Sequence, residues 1–108
     1  MEITLLYFDG CPSWHNALAN IQTVIKEEGL ELSVKLVEVK SEQEAAGAKF
    51  LGSPSFQFNG QDLWPEKRPS YSMNCRIYRT TEGLKGWPTV EMLRQKLIVE
   101  RNNKDQEK

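Results

Sequence analysis

The sequence predicts a single small α/β domain, and three observations lead there. Short apolar runs rich in β-formers alternate with helical patterns, in the order strand, helix, strand, helix, two hairpin-linked strands and a last helix. The Asn59-Gly60 pair, between two short strand-like runs, is a strong signal for a two-residue hairpin. A length of 108 residues suffices for one hydrophobic core and not for two.

Ile3 to Phe8 is an apolar run stopped by Asp9-Gly10 and predicts a buried strand. Trp14, Ala17, Leu18, Ile21, Val24 and Ile25 then recur at spacings of three and four, which puts one apolar face on a helix over residues 12–28. Pro12 suits the first helical position because its missing N–H would have no partner there, and Gly29 suits the stop. Leu30 to Val39 predicts a second strand, with Leu32, Val34 and Leu36 on one parity and Val37 and Val39 closing the run. Ser41 and Glu44 are spaced as a capping box in which each satisfies the other's backbone N–H, ahead of a short helix over 42–50. Leu51-Gly52-Ser53-Pro54 breaks that helix; Ser55 to Phe58 and Gln61 to Trp64 follow as the hairpin strands, with Trp64 expected at the surface. Residues 65–87, with Pro65, Pro69, Gly83 and Gly86, predict an irregular insertion. Pro88 opens a last helix with an inner face of Val90, Leu93 and Leu97. It is expected to end near residue 100, leaving 101–108 as a frayed polar tail on a domain of residues 1–100.

Composition narrows the function classes. Formal net charge is −1, so no field recruits nucleic acid or an anionic membrane. The longest apolar runs fall far short of a membrane span. The N-terminus lacks a basic segment and its apolar run is cut at Asp9-Gly10; this argues against a signal peptide and predicts a cytoplasmic location. Two cysteines, Cys11 and Cys75, are too few and too distant for a disulfide scaffold. The acidic residues form no pair suited to hydrolysis, and no Gly-rich phosphate loop is present.

The chemistry-bearing candidate is Cys11. A cysteine at a helix N-terminus meets unpaired backbone N–H groups and the positive end of the helix dipole, and both favour the nucleophilic thiolate. Its bland alternative is an inert cysteine packed under a loop. Cys75 is either a small buried hydrophobe or a thiol that resolves a mixed disulfide on Cys11, provided 65–87 folds back. Trp14 either begins the core stripe of the first helix or walls Cys11 from solvent. His15, four residues after Cys11, either activates the thiolate or is a solvated surface residue. Arg76 either is a surface arginine or holds an anionic group by a forked hydrogen bond. Cys11, Cys75 and His15 are a candidate ligand set for a soft metal ion such as Cu(I), but the spacing matches no zinc motif and no metal site is assigned.

The element order, with Cys11-Pro12 at the first strand–helix junction and Ser53-Pro54 before the third strand, resembles the thioredoxin and glutaredoxin families over residues 1–64 and the last helix. More narrowly, Phe8-Asp9-Gly10-Cys11-Pro12, Leu51-Gly52-Ser53-Pro54 and Cys75-Arg76-Ile77-Tyr78 look like a group of small thioredoxin-like proteins with a single cysteine in the usual two-cysteine motif. The resemblance implies a thioredoxin-like fold, a central four-stranded mixed sheet flanked by helices (βαβαββα). It also implies a cis peptide bond at Pro54 facing Cys11, and pairing of an extended substrate with the backbone at Ser53. The dithiol members carry a second cysteine three residues after the first; here Trp14 occupies that position, so the usual cycle within the motif is closed.

Two functions follow as expectations. One is a thiol–disulfide oxidoreductase-like protein with Cys11 as nucleophile, alone or with Cys75, and with Pro12, Trp14, Ser53, Pro54 and Arg76 on the substrate side. Its partners would be thiols or disulfides of small molecules or proteins, with no resident cofactor and glutathione as a co-substrate. The other is a non-enzymatic binding module that uses the proline groove for a partner segment, a small thiol or a soft metal ion. Oligomeric state is left open by the sequence.

Overall fold

Apolar alternation in the first strand sets the layering. In the computed structural model, which describes residues 1–106 and the side chains of residues 1–99, β1 spans Glu2–Tyr7. Ile3 and Leu5 point to one face of the sheet and Leu6 to the other, as a period of two demands. On the first face lie α1 (Trp14–Glu28) and the C-terminal helix, packed through Ala17, Ile21, Val24, Leu93 and Leu97. On the second, Leu6 meets Val39, Ala45 and Phe50, which bring in α2 (Glu42–Ala48).

β2 (Ser33–Glu38) runs parallel to β1, while β3 (Ser55–Phe58) is antiparallel to β1 and β4 (Gln61–Asp62) antiparallel to β3. The four strands lie in the order β2-β1-β3-β4, a mixed sheet with the helices on its two faces. The parallel pair comes from the crossover through α1, and the antiparallel pair β3–β4 from the Asn59-Gly60 turn, whose residues both have positive φ (54° and 80°).

Several boundaries and environments differ from the sequence expectation. α1 begins at Trp14, not at residue 12: Pro12 and Ser13 form a turn, and Ser13 caps the helix through its carbonyl, which accepts from Ala17 N at 3.2 Å. β2 is an edge strand without a second neighbour, so its apolar parity is only half covered and Leu36 is 45% exposed. Ser41 accepts from Glu44 N, but the Glu44 carboxylate reaches back to Lys40 N, one residue before the reciprocal partner. Trp64 is half-buried, edge-on to Tyr78.

Residues 65–87 are not irregular throughout. They contain a hairpin of β5 (Tyr78–Thr80) and β6 (Gly83–Lys85), separate from the main sheet and closed by Gly83 at a φ of 104°. The last helix, α3, starts at Val90 with Thr89 Oγ1 accepting from Met92 N, and it runs to Gln106 instead of stopping near 100. Arg101 to Gln106 contains neither Gly nor Pro to break it. The end of the expected frayed tail, residues 107–108, lies outside the described residues.

Candidate functional site

The site forms where the loop after β1 meets the loop before β3. The chain turns at Cys11, whose N–H donates to the Phe8 carbonyl at 3.2 Å, and Cys11 itself is 2% exposed. It stands two residues ahead of the Ser13 cap, so it is near the positive end of α1 without being in its first turn. Facing it, the Ser53-Pro54 bond is cis and both residues are fully buried. Ser53 Oγ accepts from Phe8 N at 3.2 Å, which ties the two loops together, and Cys11 Sγ lies 3.7 Å from the Ser53 carbonyl oxygen. In a reduced protein that carbonyl can accept from the thiol, which opposes the pull of the helix end towards thiolate.

The third wall comes from far along the chain. Ser53 N donates to the Asn74 carbonyl at 2.8 Å and the Ser53 carbonyl accepts from Arg76 N at 2.9 Å, a parallel bridge centred on Ser53 and Cys75. Gly52, with a φ of +116°, makes this approach possible: a Cβ there would stand 3.0 Å from Arg76 Cβ and 3.1 Å from the Asn74 carbonyl oxygen. The bridge delivers Cys75 to Cys11. Their sulfurs are at bonding distance with Cα atoms 6.0 Å apart, and the pair is a disulfide closing a separation of 64 residues. The two halves of the pair differ: Cys11 is buried and Cys75 is exposed. Cys75 is thus not the small buried hydrophobe of one sequence alternative.

Arg76 is not a surface arginine. It is 4% exposed, and both terminal nitrogens of its guanidinium donate to the protein. Nη1 donates to Asp62 Oδ2 at 2.8 Å and to Ser55 Oγ at 3.1 Å, Nη2 donates to the Trp64 carbonyl at 2.6 Å, and the group lies 4.8 Å from the centre of the Tyr78 ring. The end-on fork of Nη1 and Nη2 is thus taken up by the protein's own acceptors. Asp62 also accepts from Trp64 N at 2.8 Å. Burial pushes the Asp62 carboxyl above its ordinary value, against the pull of the Arg76 hydrogen bond and charge. The Tyr78 hydroxyl donates to the Pro54 carbonyl at 2.6 Å, and burial raises its pKa. Ser55 Oγ, in turn, donates to the Gly52 carbonyl.

Tyr78 and Ser55 therefore flank the cis-proline, with Asp62 joined to them through Arg76, and the sequence alone assigns a role to none of the three. The available signal was the alternation Arg76-x-Tyr78, which places both residues on one side of an extended segment.

Trp14 does not join the core, and His15 is the exposed residue of one sequence alternative. Trp14 is half-buried and lies outside the core cluster; its ring stacks between Tyr7 (4.2 Å) and His15 (3.7 Å). The exposed His15 ring is thus engaged with Trp14 and makes no side-chain hydrogen bond to Cys11 among the described residues. Pro12 is exposed beside this stack. On the opposite side, Gly86 follows β6 against the start of α1, so close that a Cβ there would be 2.6 Å from Ser13 Oγ.

Among the described residues no three His, Cys, Asp or Glu side chains are grouped to hold a metal ion, and no helix is long and apolar enough to cross a membrane. Comparison of the chain with protein-family models, with curated proteins and with solved structures gives no match.

Proposed function

We propose that this chain is a thioredoxin-like thiol–disulfide exchange protein in which Cys11 and Cys75 form the redox pair. The observation that carries the proposal is the Cys11–Cys75 disulfide, which joins the loop after β1 to the segment bridged to Ser53. Further support comes from the sheet order β2-β1-β3-β4, with Cys11 in the loop between β1 and α1. Cys75 supplies the second thiol that Trp14 denies to the motif around Cys11.

The chemistry balances without a resident cofactor. One thiolate of the reduced Cys11–Cys75 pair attacks one sulfur of a substrate disulfide; a protein–substrate bond forms and the other substrate sulfur leaves as a thiolate. The second thiolate of the pair then attacks the protein sulfur of that bond. The Cys11–Cys75 bond forms and the remaining substrate sulfur leaves, so the substrate has gained two electrons and the protein has lost them. Two equivalents of an external thiol, glutathione being one such compound, return the pair to the dithiol.

The test is the alkylation rate of reduced Cys11 against pH, read beside a glutathione-coupled disulfide-reductase assay. We expect a midpoint below the value of about 8.5 for a free thiol, with turnover abolished by Cys11→Ser. A midpoint at or above that value, together with absent turnover, overturns the proposal.

A further inference from the structure

We infer that an incoming thiol attacks the oxidised protein at Cys75 and expels Cys11, and that it does so without pairing to the Ser53 backbone. The inference rests on the exchange function proposed above and adds which sulfur is attacked and what the approach to it looks like.

Attack on a disulfide proceeds along the S–S axis, from behind the sulfur that is struck, so access and the quality of the leaving thiolate decide between the two sulfurs. Access is one-sided here. Cys11 is 2% exposed, enclosed by its own loop and by Ser53, whereas Cys75 is exposed between exposed Asn74 and exposed Ile77. The leaving-group preference points the same way. Cys11 is near the positive end of α1, which favours a departing thiolate against the opposing Ser53 carbonyl, while Cys75 lies in an extended segment with no helix end behind it among the described residues.

The approach is also constrained. An extended peptide that paired with the backbone at Ser53 would need the N–H and carbonyl of that residue. Both are already engaged by the chain's own Asn74 and Arg76, and Gly52 is shaped to that contact. The Asn74–Arg76 segment thus occupies the strand position that an extended peptide would take. In the oxidised state a thiol approaches through Cys75, the exposed residue of the pair, and gains nothing from strand pairing.

The step is as follows. The attacking thiolate forms a bond to Cys75 Sγ, the Cys11–Cys75 bond breaks, and the electron pair leaves on Cys11 Sγ. A second thiolate then attacks the thiol-derived sulfur of the Cys75 adduct. This releases the oxidised thiol dimer and a Cys75 thiolate, which takes up a proton from water.

The experiment treats the oxidised wild-type protein with glutathione, or with a short peptide carrying one cysteine of matched thiol pKa. The reaction is quenched within milliseconds to seconds in acid and the adduct is located by peptide mapping. At the earliest times the adduct is expected on Cys75 in at least ~10-fold excess over Cys11, with the peptide no more than ~3-fold faster than glutathione, consistent with control of exchange by access. An early adduct mainly on Cys11 overturns the assignment of the attacked sulfur. A peptide advantage of ~10-fold or more overturns the closed Ser53 edge. An exchange rate no higher than that of an unstructured linear disulfide, with the adduct still on Cys75, removes the exchange function and leaves the attacked sulfur assigned.

Discussion

The two walls of the site are built by different physics. The wall that carries Cys11 and Pro54 belongs to the loops flanking β1 and β3, and it is held by the apolar core beneath them, Leu5 and Phe56 foremost. The wall that carries Cys75 crosses the site on polar contacts: a backbone bridge to Ser53, a buried Arg76–Asp62 ion pair and the Tyr78 hydroxyl on Pro54. Apolar burial is diffuse and tolerates small losses. Buried polar contacts are few and each is costly to leave half-made. The second wall should therefore fail abruptly to single changes, whereas the first should erode.

The largest effect is expected at Arg76. Arg76→Met leaves Asp62 buried without its cation, which costs about 3–5 kcal/mol in the usual range for one partner removed from a buried pair. Urea unfolding of oxidised protein measures it. The sign of its pH dependence follows from Asp62, whose carboxyl is pushed up by burial in the native protein and loses its main counter-charge in the variant. A raised folded-state pKa means that stability is fullest below the unfolded value of about 3.9 and is lost as pH rises through the folded value. The deficit of Arg76→Met should thus be larger at neutral pH than in acid. Adding Asp62→Leu should recover most of the loss. A double variant as unstable as the single one would show that Arg76 acts through its other partners, Ser55 and Trp64.

Cys75→Ser comes next. The disulfide closes a loop with a sequence separation of 64 residues. Removing a link of that kind costs about 2–4 kcal/mol. Reduction of the wild-type protein should cost a similar amount. If the loss on reduction were much smaller than that in Cys75→Ser, the serine itself would be disturbing the Ser53 bridge.

The contrast between the walls also explains what could be read in the sequence. Cys11, Ser53 and Pro54 were legible because local signals mark them: the Asp9-Gly10 stop, the helical periodicity from Trp14, and the break at Gly52. The same signals gave the strand and helix order up to the hairpin, where Asn59-Gly60 requires two positive φ values and finds them. The Cys75 wall carries only the short alternation Arg76-x-Tyr78. Its register depends on Gly52 making room for Arg76 and on Asp62, 14 positions earlier, accepting from it. Such a pairing has no local spacing rule, so Arg76 looked like a surface residue and β5–β6 like an irregular stretch. Trp14 failed differently. It fits the apolar stripe of α1, but the helix starts there, at the end of the stripe, where Tyr7 and His15 cover it and the core does not.

A smaller effect is expected from Tyr78→Phe, which removes only the hydroxyl and leaves the buried Pro54 carbonyl without its donor. The cost should be about 1–2 kcal/mol at neutral pH. Burial raises the Tyr78 pKa, so the folded state holds this proton more tightly than the unfolded state. That contribution is complete below the unfolded value of about 10 and is lost as pH rises above it. The stability gap between wild type and Tyr78→Phe should narrow in alkali. A gap that stays constant to pH 11 would mean that the hydroxyl is not buried as strongly as its place behind Pro54 implies.

The smallest effect tests the other side of the comparison. Leu36 stands opposite Leu5 in the β1–β2 ladder, yet Leu5 is fully buried and Leu36 is 45% exposed. The difference is one of position: among the described residues β1 has a neighbour on each side, and β2 has only β1. Leu36 borders a shallow apolar groove with Leu18, Ile25, Leu32 and Val34, where much of its side chain is already in water. Leu36→Thr keeps a β-former and gives up little buried area, so its cost should stay within about 0.5 kcal/mol. The alkylation rate of Cys11 should be unchanged, because β2 does not contact the Ser53–Cys75 bridge through any bond described above. A loss several times larger would show that the edge of β2 is covered in solution, and oligomeric state measured against protein concentration would then identify a second copy of the chain as the cover.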